Sequence, residues 1–354
     1  MVGPTQVGKT SSLVIPSILA WTGPVVVTSV KQDVVTTTQR WRAALGEVQV
    51  LAPGDDQGLT WNPLEEVSTL REALRVARDL TGPSTGRGDT EFWNSLATKL
   101  VASLLVTAVE QSKTIFDVAD VIESRDFAQW LRGSRPSEAR RLLSSFLEHE
   151  TRTLDGVVTT AETMVLAWRF RQPLARVRSV VRGSNTLYLC SPRGEQRHYD
   201  ALFRGALRTV LEEQQRRVDA GNQQPLLLVL DEAATVAPLE ELDQLAATLS
   251  GLDVTLVTVV QDFAQLVARW GPRAPTIVNN HTTRLVMGGL ADPSVGTYLP
   301  ELVDEAKGTR PQRPLRQWSP GTALVVAGRR PVAPVRVRPW WRQRRLRHRA
   351  SRHR

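Results

Sequence analysis

Short apolar, β-branched runs recur along the chain, and helical spacing fills the gaps between them. The runs Pro24–Val30 (PVVVTSV), Val48–Ala52, Thr186–Cys190, Leu226–Asp231 (LLLVLD), Val254–Gln261, Arg284–Met287 and Ala323–Ala327 predict strands. Unbroken Val and Leu runs of this length suit strands covered on both faces, as in a parallel sheet with helices on either side. Between them, Tyr199–Val218 and Glu240–Leu249 have the length and period of helices. This alternation predicts an α/β fold built from βαβ units.

From about Leu64 to Val181 no strand pattern occurs. Leu96, Leu100 and Leu104 repeat at i, i+4 and i+8, and Ala139, Leu142, Leu143 and Phe146 at i, i+3, i+4 and i+7. Both spacings mark one face of a helix. Gly82–Asp89 (GPSTGRGD) is a turn-rich break. The expected organisation is an α/β core at 1–64 and 182–335, an inserted all-α domain at 65–181 and a basic tail at 336–354.

Composition changes this picture in a few places. The 354 residues carry a formal charge of +9, and residues 336–354 hold nine Arg and no acid, so the rest of the chain is balanced. The tail is therefore expected to be solvated or to meet a polyanion rather than to pack. Cys190 is the only cysteine, which excludes an internal disulfide. The five histidines show neither an HExxH spacing nor Cys/His pairing, against a zinc site. No run of about 18 apolar residues is apparent, so no membrane span is expected within this chain.

Residues 3–10 read GPTQVGKT and match the phosphate-binding pattern GxxxxGK[ST] at every fixed position. Backbone N–H groups of such a loop point inward as donors, and the helix that follows offers its positive end to the same anion. Gly3, Pro4, Thr5, Gln6, Val7, Gly8, Lys9, Thr10 and Ser11 form the expected cradle. Lys9 would reach the β- and γ-phosphates of ATP, and the Thr10 hydroxyl would face Mg²⁺. Asp231 and Glu232 end the LLLVL strand, the second half of such a site. Asp231 would complete the magnesium shell and Glu232 would polarise the attacking water. Gln261, at the end of the next strand, is placed to sense the γ-phosphate. Taken alone, each feature has a plainer reading: a Gly-rich turn, two acids at a helix start, a solvated amide.

The order of these motifs resembles the type IV coupling proteins of the TraG/TraD kind, within the FtsK/HerA group of RecA-like ATPases. The resemblance extends over VVVTSVKQD at 25–33 with Lys31 and Asp33, WNPL at 61–64, DTEFWNSLA at 89–97, LLLVLDEA at 227–234, VVQDFAQL at 259–266, NNHTTRLVMGG at 279–289 and PGTALVVAG at 320–328. It implies a hexameric ring that hydrolyses ATP and feeds DNA, bare or relaxase-bound, to a type IV secretion channel. It also implies work at the cytoplasmic face of the bacterial inner membrane, with anchoring through a segment upstream of this chain.

Two departures from the family stand out. The phosphate loop begins at residue 3, so the strand that should lead into it is missing and a truncated or miscalled start is expected. Ser250-Gly251-Leu252-Asp253 lacks the Arg that many relatives carry there. An arginine finger would have to be Arg269, Arg273 or Arg284, with Arg284 preferred. Two other readings stay open at this point: a soluble FtsK/HerA-like pump for duplex DNA, and an ATPase-dead docking module in which the helical insertion binds secreted proteins.

Overall fold

The computed structural model describes residues 1–30, 32–81, 89–148, 151–191, 196–222, 224–236, 239, 241–292, 315–328 and 330–351. The chain divides into two compact units, one of residues 1–49, 179–190 and 213–354 and the other of 50–178 and 191–212.

The first unit carries the parallel sheet. After a wide turn at Thr10–Val14 come α1 (Ile15–Ala20), β1 (Val25–Ser29), α2 (Gln32–Ala43) and β2 (Val48–Leu51). All seven predicted strand runs form strands. β2 and β5 (Thr186–Cys190) lie on one side of β1, and β6 (Leu226–Leu230) and β7 (Val254–Thr258) on the other, giving the order β2-β5-β1-β6-β7. β1 runs parallel to β5 and to β6, and β6 parallel to β7. Every residue of β1 and β6 is buried, which is why these two central strands read as unbroken apolar runs. β7 is covered less completely, as an outer strand is: Val254 and Thr258 are buried, Thr255 is exposed, and Leu256 and Val257 are half-buried.

A second sheet in this unit is antiparallel, with β9 (Thr322–Ala327) between β8 (Thr283–Met287) and β10 (Ala333–Arg336). Val2 is bridged to Val260 just beyond β7 and to Val286 on β8. Its N–H donates to Leu285 at 2.8 Å and its carbonyl accepts from Met287 at 2.8 Å. Residues 1–2 thus lie where a strand leading into the phosphate loop belongs.

The second unit holds β3 (Thr60–Trp61) and β4 (Leu174–Ala175), a two-residue parallel pair. That unit is otherwise helical: α3 (Leu70–Thr81), α4 (Asp89–Glu110), α5 (Ile115–Ser124), α6 (Phe127–Arg132), α7 (Glu138–Leu147) and α8 (Thr151–Val165). Sequence periodicity missed one property of α4. Within Thr90–Glu110 an 18-residue window has a mean hydropathy of 1.4, so by length and composition the helix could cross a membrane. The expectation that no such run exists is corrected. Leu100, Val101, Leu104 and Leu105 are fully buried, so α4 is apolar on most sides because other helices of its own unit cover it.

A further correction concerns the tail, which was expected not to pack. Its last described element, a helix at Arg344–Ser351, buries Leu346 and Arg349. Most of the turn-rich break at 82–89, and Lys31 of the strand-end motif, lie outside the described residues.

Candidate functional site

The loop at residues 3–9 opens directly from Val2 at the carboxyl ends of the parallel strands, where open α/β sheets hold their ligands. Gly3 donates to Val260 at 3.3 Å. A Cβ on Gly3 would lie 2.5 Å from Met287 Cβ, so no larger residue fits between the loop and β8. Gln6 and Gly8 both take left-handed backbone angles, φ 64° and 92°, and these reverse the chain around the cradle. Thr5 and Gln6 are exposed, whereas Lys9 and Thr10 are buried.

The Lys9 ammonium turns back into the loop, donating to the carbonyls of Gly3 and, at 2.7 Å, Pro4. Ser11 donates to Gly8 at 3.2 Å. The first turn after the loop is π-helical over Thr10–Val14. Pro16 sits at the start of α1 and has no N–H to donate to the Ser12 carbonyl, and the wide turn accommodates that missing bond.

The second half of the site lies against the first. The Thr10 hydroxyl donates to Asp231 Oδ2 at 3.4 Å across 221 residues of sequence. Ser29, at the end of β1, donates to the same oxygen at 3.5 Å. Asp231 is 1% exposed, and its own N–H donates to Thr28 at 3.1 Å, which fixes the acid between β1 and β6. Glu232 follows with φ 58°, a left-handed conformation uncommon outside glycine and often seen at functional positions. Ala233 then donates to Val259, so the acid pair is held against the end of β7.

Gln261 follows Val260, the residue that Gly3 contacts. Its N–H donates to Gln265 Oε1 at 3.0 Å. Asp262 accepts from Gln265 at 2.6 Å, and Asp292 accepts from Phe263 at 2.7 Å and Ala264 at 3.0 Å. Two carboxylates therefore cap α11 (Phe263–Trp270) and set the peptide that carries Gln261.

Arg284 does not join this cluster through any described contact. Its guanidinium donates to the carbonyls of His281 at 3.1 Å and Asn279 at 3.4 Å. Arg273 pairs with Asp243 at 3.1 Å. Sequence reasoning missed Ser29, Met287 and Asp292. A strand-end serine, a buried methionine and a loop aspartate carry no spacing signal; only the strand order brings them to the loop.

The donor set fits a nucleotide with its magnesium. A glycine-lined turn, a buried lysine, a hydroxyl and a carboxylate meet at one sheet edge, and hydroxyl and carboxylate oxygens are the hard ligands that Mg²⁺ takes. These features define a RecA-like P-loop core joined to a largely helical unit.

Two family patterns match the sequence. "Type IV secretory system Conjugative DNA transfer" covers residues 1–165, and "TraM recognition site of TraD and TraG" covers residues 225–316. Together they take in more than two thirds of the chain. The chain belongs to the TraG/TraD family of type IV coupling proteins.

Protein VirD4 of Rhizobium radiobacter is 24% identical over 329 residues, covering 86% of this chain and 48% of the relative. The chain thus spans about half the length of the curated relatives it matches. Among solved structures, the bacterial conjugative coupling protein TrwBdeltaN70 in its unbound monoclinic form shares the fold at TM-score 0.71 and 17% identity. That match covers 95% of this chain and 83% of TrwBdeltaN70. The plasmid coupling protein TrwB in complex with ADP and Mg²⁺ is similar at TM-score 0.68 and 17% identity, over 95% of this chain and 84% of that one.

Proposed function

We propose that the chain is the motor portion of a coupling ATPase that moves DNA, bare or bound to a relaxase, toward a type IV secretion channel. The observation that carries the reading is the 3.4 Å contact between Thr10 and Asp231, which joins the two halves of a nucleotide site. ATP is the substrate. Backbone N–H groups of residues 3–11 and the Lys9 ammonium hold its phosphates. Thr10 and Asp231 hold Mg²⁺, which when bound would neutralise phosphate charge. Glu232 polarises the attacking water, and Gln261 reports the state of the nucleotide through the capped start of α11. Arg284 is the candidate to reach a neighbouring subunit's nucleotide in a homo-hexameric ring. The ring works at the cytoplasmic face of the inner membrane.

The test is ATP binding and turnover by the purified chain, with and without DNA. K9A is expected to lose ATP binding. E232Q should keep binding and lose turnover by on the order of 10²-fold or more, the usual cost of removing a group that handles the attacking water's proton. R284A should lower turnover by on the order of 10³ in the assembled ring only. Turnover indifferent to K9A, or to DNA, would overturn the reading.

A further inference from the structure

The arginines of the C-terminal segment stand on a fixed scaffold. The helix at Arg344–Ser351, hereafter α13 following α9 (Gln196–Asp219), α10 (Leu242–Thr248) and α12 (Ala274–Asn280), turns two residues inward. Leu346 is 7% exposed and Arg349 is 9% exposed, at i and i+3 on one face. The Arg349 guanidinium donates to the carbonyls of Leu19 and Ala20 and lies 4.6 Å from the centre of the Trp41 ring. Those carbonyls belong to the last turn of α1, whose acceptors have no partner within the helix. The anchor is thus a cation at the negative end of the helix that follows the phosphate loop.

The exposed residues from Trp341 to His348 are basic or aromatic. Arg342, Arg344, Arg345 and Arg347 are exposed, and among the described residues none of them pairs with a carboxylate. Trp341 is 47% exposed and stands edge-on to Trp340, with ring centres 5.7 Å apart. Like charges three apart on one helix repel, a cost that a line of phosphates relieves. An exposed indole beside arginines offers a stacking platform for an unpaired base.

We infer that the outer face of α13, with Trp341 and Arg342 leading into it, is a docking surface for single-stranded nucleic acid, independent of base sequence. A basic amphipathic helix can also lie on an anionic membrane, but that mode needs a free apolar face to sink among the lipids. Here Leu346 is spent on the protein's own core, which favours the phosphate backbone. The surface is separate from the nucleotide site and stands whether or not the chain turns over ATP.

The test uses the full chain and a fluorescent oligo(dT) strand, with binding measured across a salt series. Replacing Arg342, Arg344, Arg345 and Arg347 together by Gln should lower the slope of log affinity against log salt by about 3, at about 0.7 per lost phosphate contact. The same four changed to Lys should keep the slope. W341A should weaken single-strand binding roughly five- to hundredfold and leave duplex binding unchanged, as loss of one stacked base would. Thermal melting, expected to match the parent because these side chains are exposed, establishes that the variants are folded, and ATP binding at the phosphate loop is read alongside. An unchanged slope in the folded Gln variant would overturn the inference. So would binding to phosphatidylglycerol vesicles, lost in the Gln variant, without binding to the strand. Loss of ATP binding alone would count against the nucleotide site and leave this surface standing.

Discussion

Gly3 of the phosphate loop packs against Met287 with no room for a side chain. A methyl group at residue 3 would sit 2.5 Å from Met287 Cβ, an atom that cannot swing away as the end of a long side chain could. G3A is expected to cost about 1–3 kcal/mol, the usual range for overpacking. It should also weaken nucleotide binding, since the loop must shift to make room. M287G removes that atom and the side chain beyond it, at its own cost of at least about 2–5 kcal/mol. The double variant should be less destabilised than the sum of the two, and urea melts of the four proteins measure that coupling. That Thr10 and Asp231 would meet was legible because the phosphate-loop pattern and an acid-ended apolar strand are fixed sequence patterns. Ser29 was not: a serine ending a strand has no pattern, and only the pairing of β1 with β6 sets it beside Asp231.

Among the elements, the central strands were the most legible, because burial on both faces leaves no room for polar residues. The helices followed from period and length. β10 was not legible, since its four residues include Pro334 and an exposed Arg336 and pair only along β9. α13 was misread because arginine dominates its composition and only Leu346 marks an inward face. Arg42 on α2 was equally invisible. It is fully buried and donates to Thr186 at 2.7 Å and to the carbonyls of Trp21, Gly23 and Ser184 at 2.7–2.8 Å. Burial pushes its guanidinium down to about 10. One side chain therefore ties α2 to β5 and to the two turns beside them. R42M should cost about 3–5 kcal/mol, because three buried carbonyls and a hydroxyl would lose their donors. The melting temperature and the protease resistance of the segment 21–24 would report it.

Across the whole molecule, the two units respond to acid in opposite directions. In the first, burial lowers the pKa of the His281 imidazole, which is hydrogen-bonded to Ile277 at 2.7 Å and Thr258 at 2.9 Å. The unfolded chain takes the proton first, so this unit's stability is intact above the ordinary histidine range and falls as pH drops through 6.5. In the second, burial raises Asp79 to about 6 despite Arg208 at 3.1 Å. Its folded form prefers the neutral acid, so stability is greatest below 3.8 and is lost as pH rises to about 6. Between pH 7 and 5 the first unit should weaken while the second strengthens. Hydrogen exchange in β8 and in α3 would then move in opposite senses, and H281Q and D79N should each weaken one of the two trends; the buried Met1 ammonium, lowered to about 5, adds to the first in the same sense.

The division itself was only partly legible. Helical spacing marked 65–181, but the second unit also takes in 50–64 and 191–212. The Trp61 ring is seated where a Cβ on Gly205 would lie 2.2 Å away, and its carbonyl accepts from Trp168 at 2.7 Å. A tryptophan in a strand-like stretch gives no sign of which body it will join. The seam at Val2 has a consequence for force. The parallel and antiparallel sheets are stitched together through this residue, and the next one begins the phosphate cradle. Any sliding of one sheet past the other pivots there, so mechanical load on the strands reaches the phosphate cradle through main-chain hydrogen bonds.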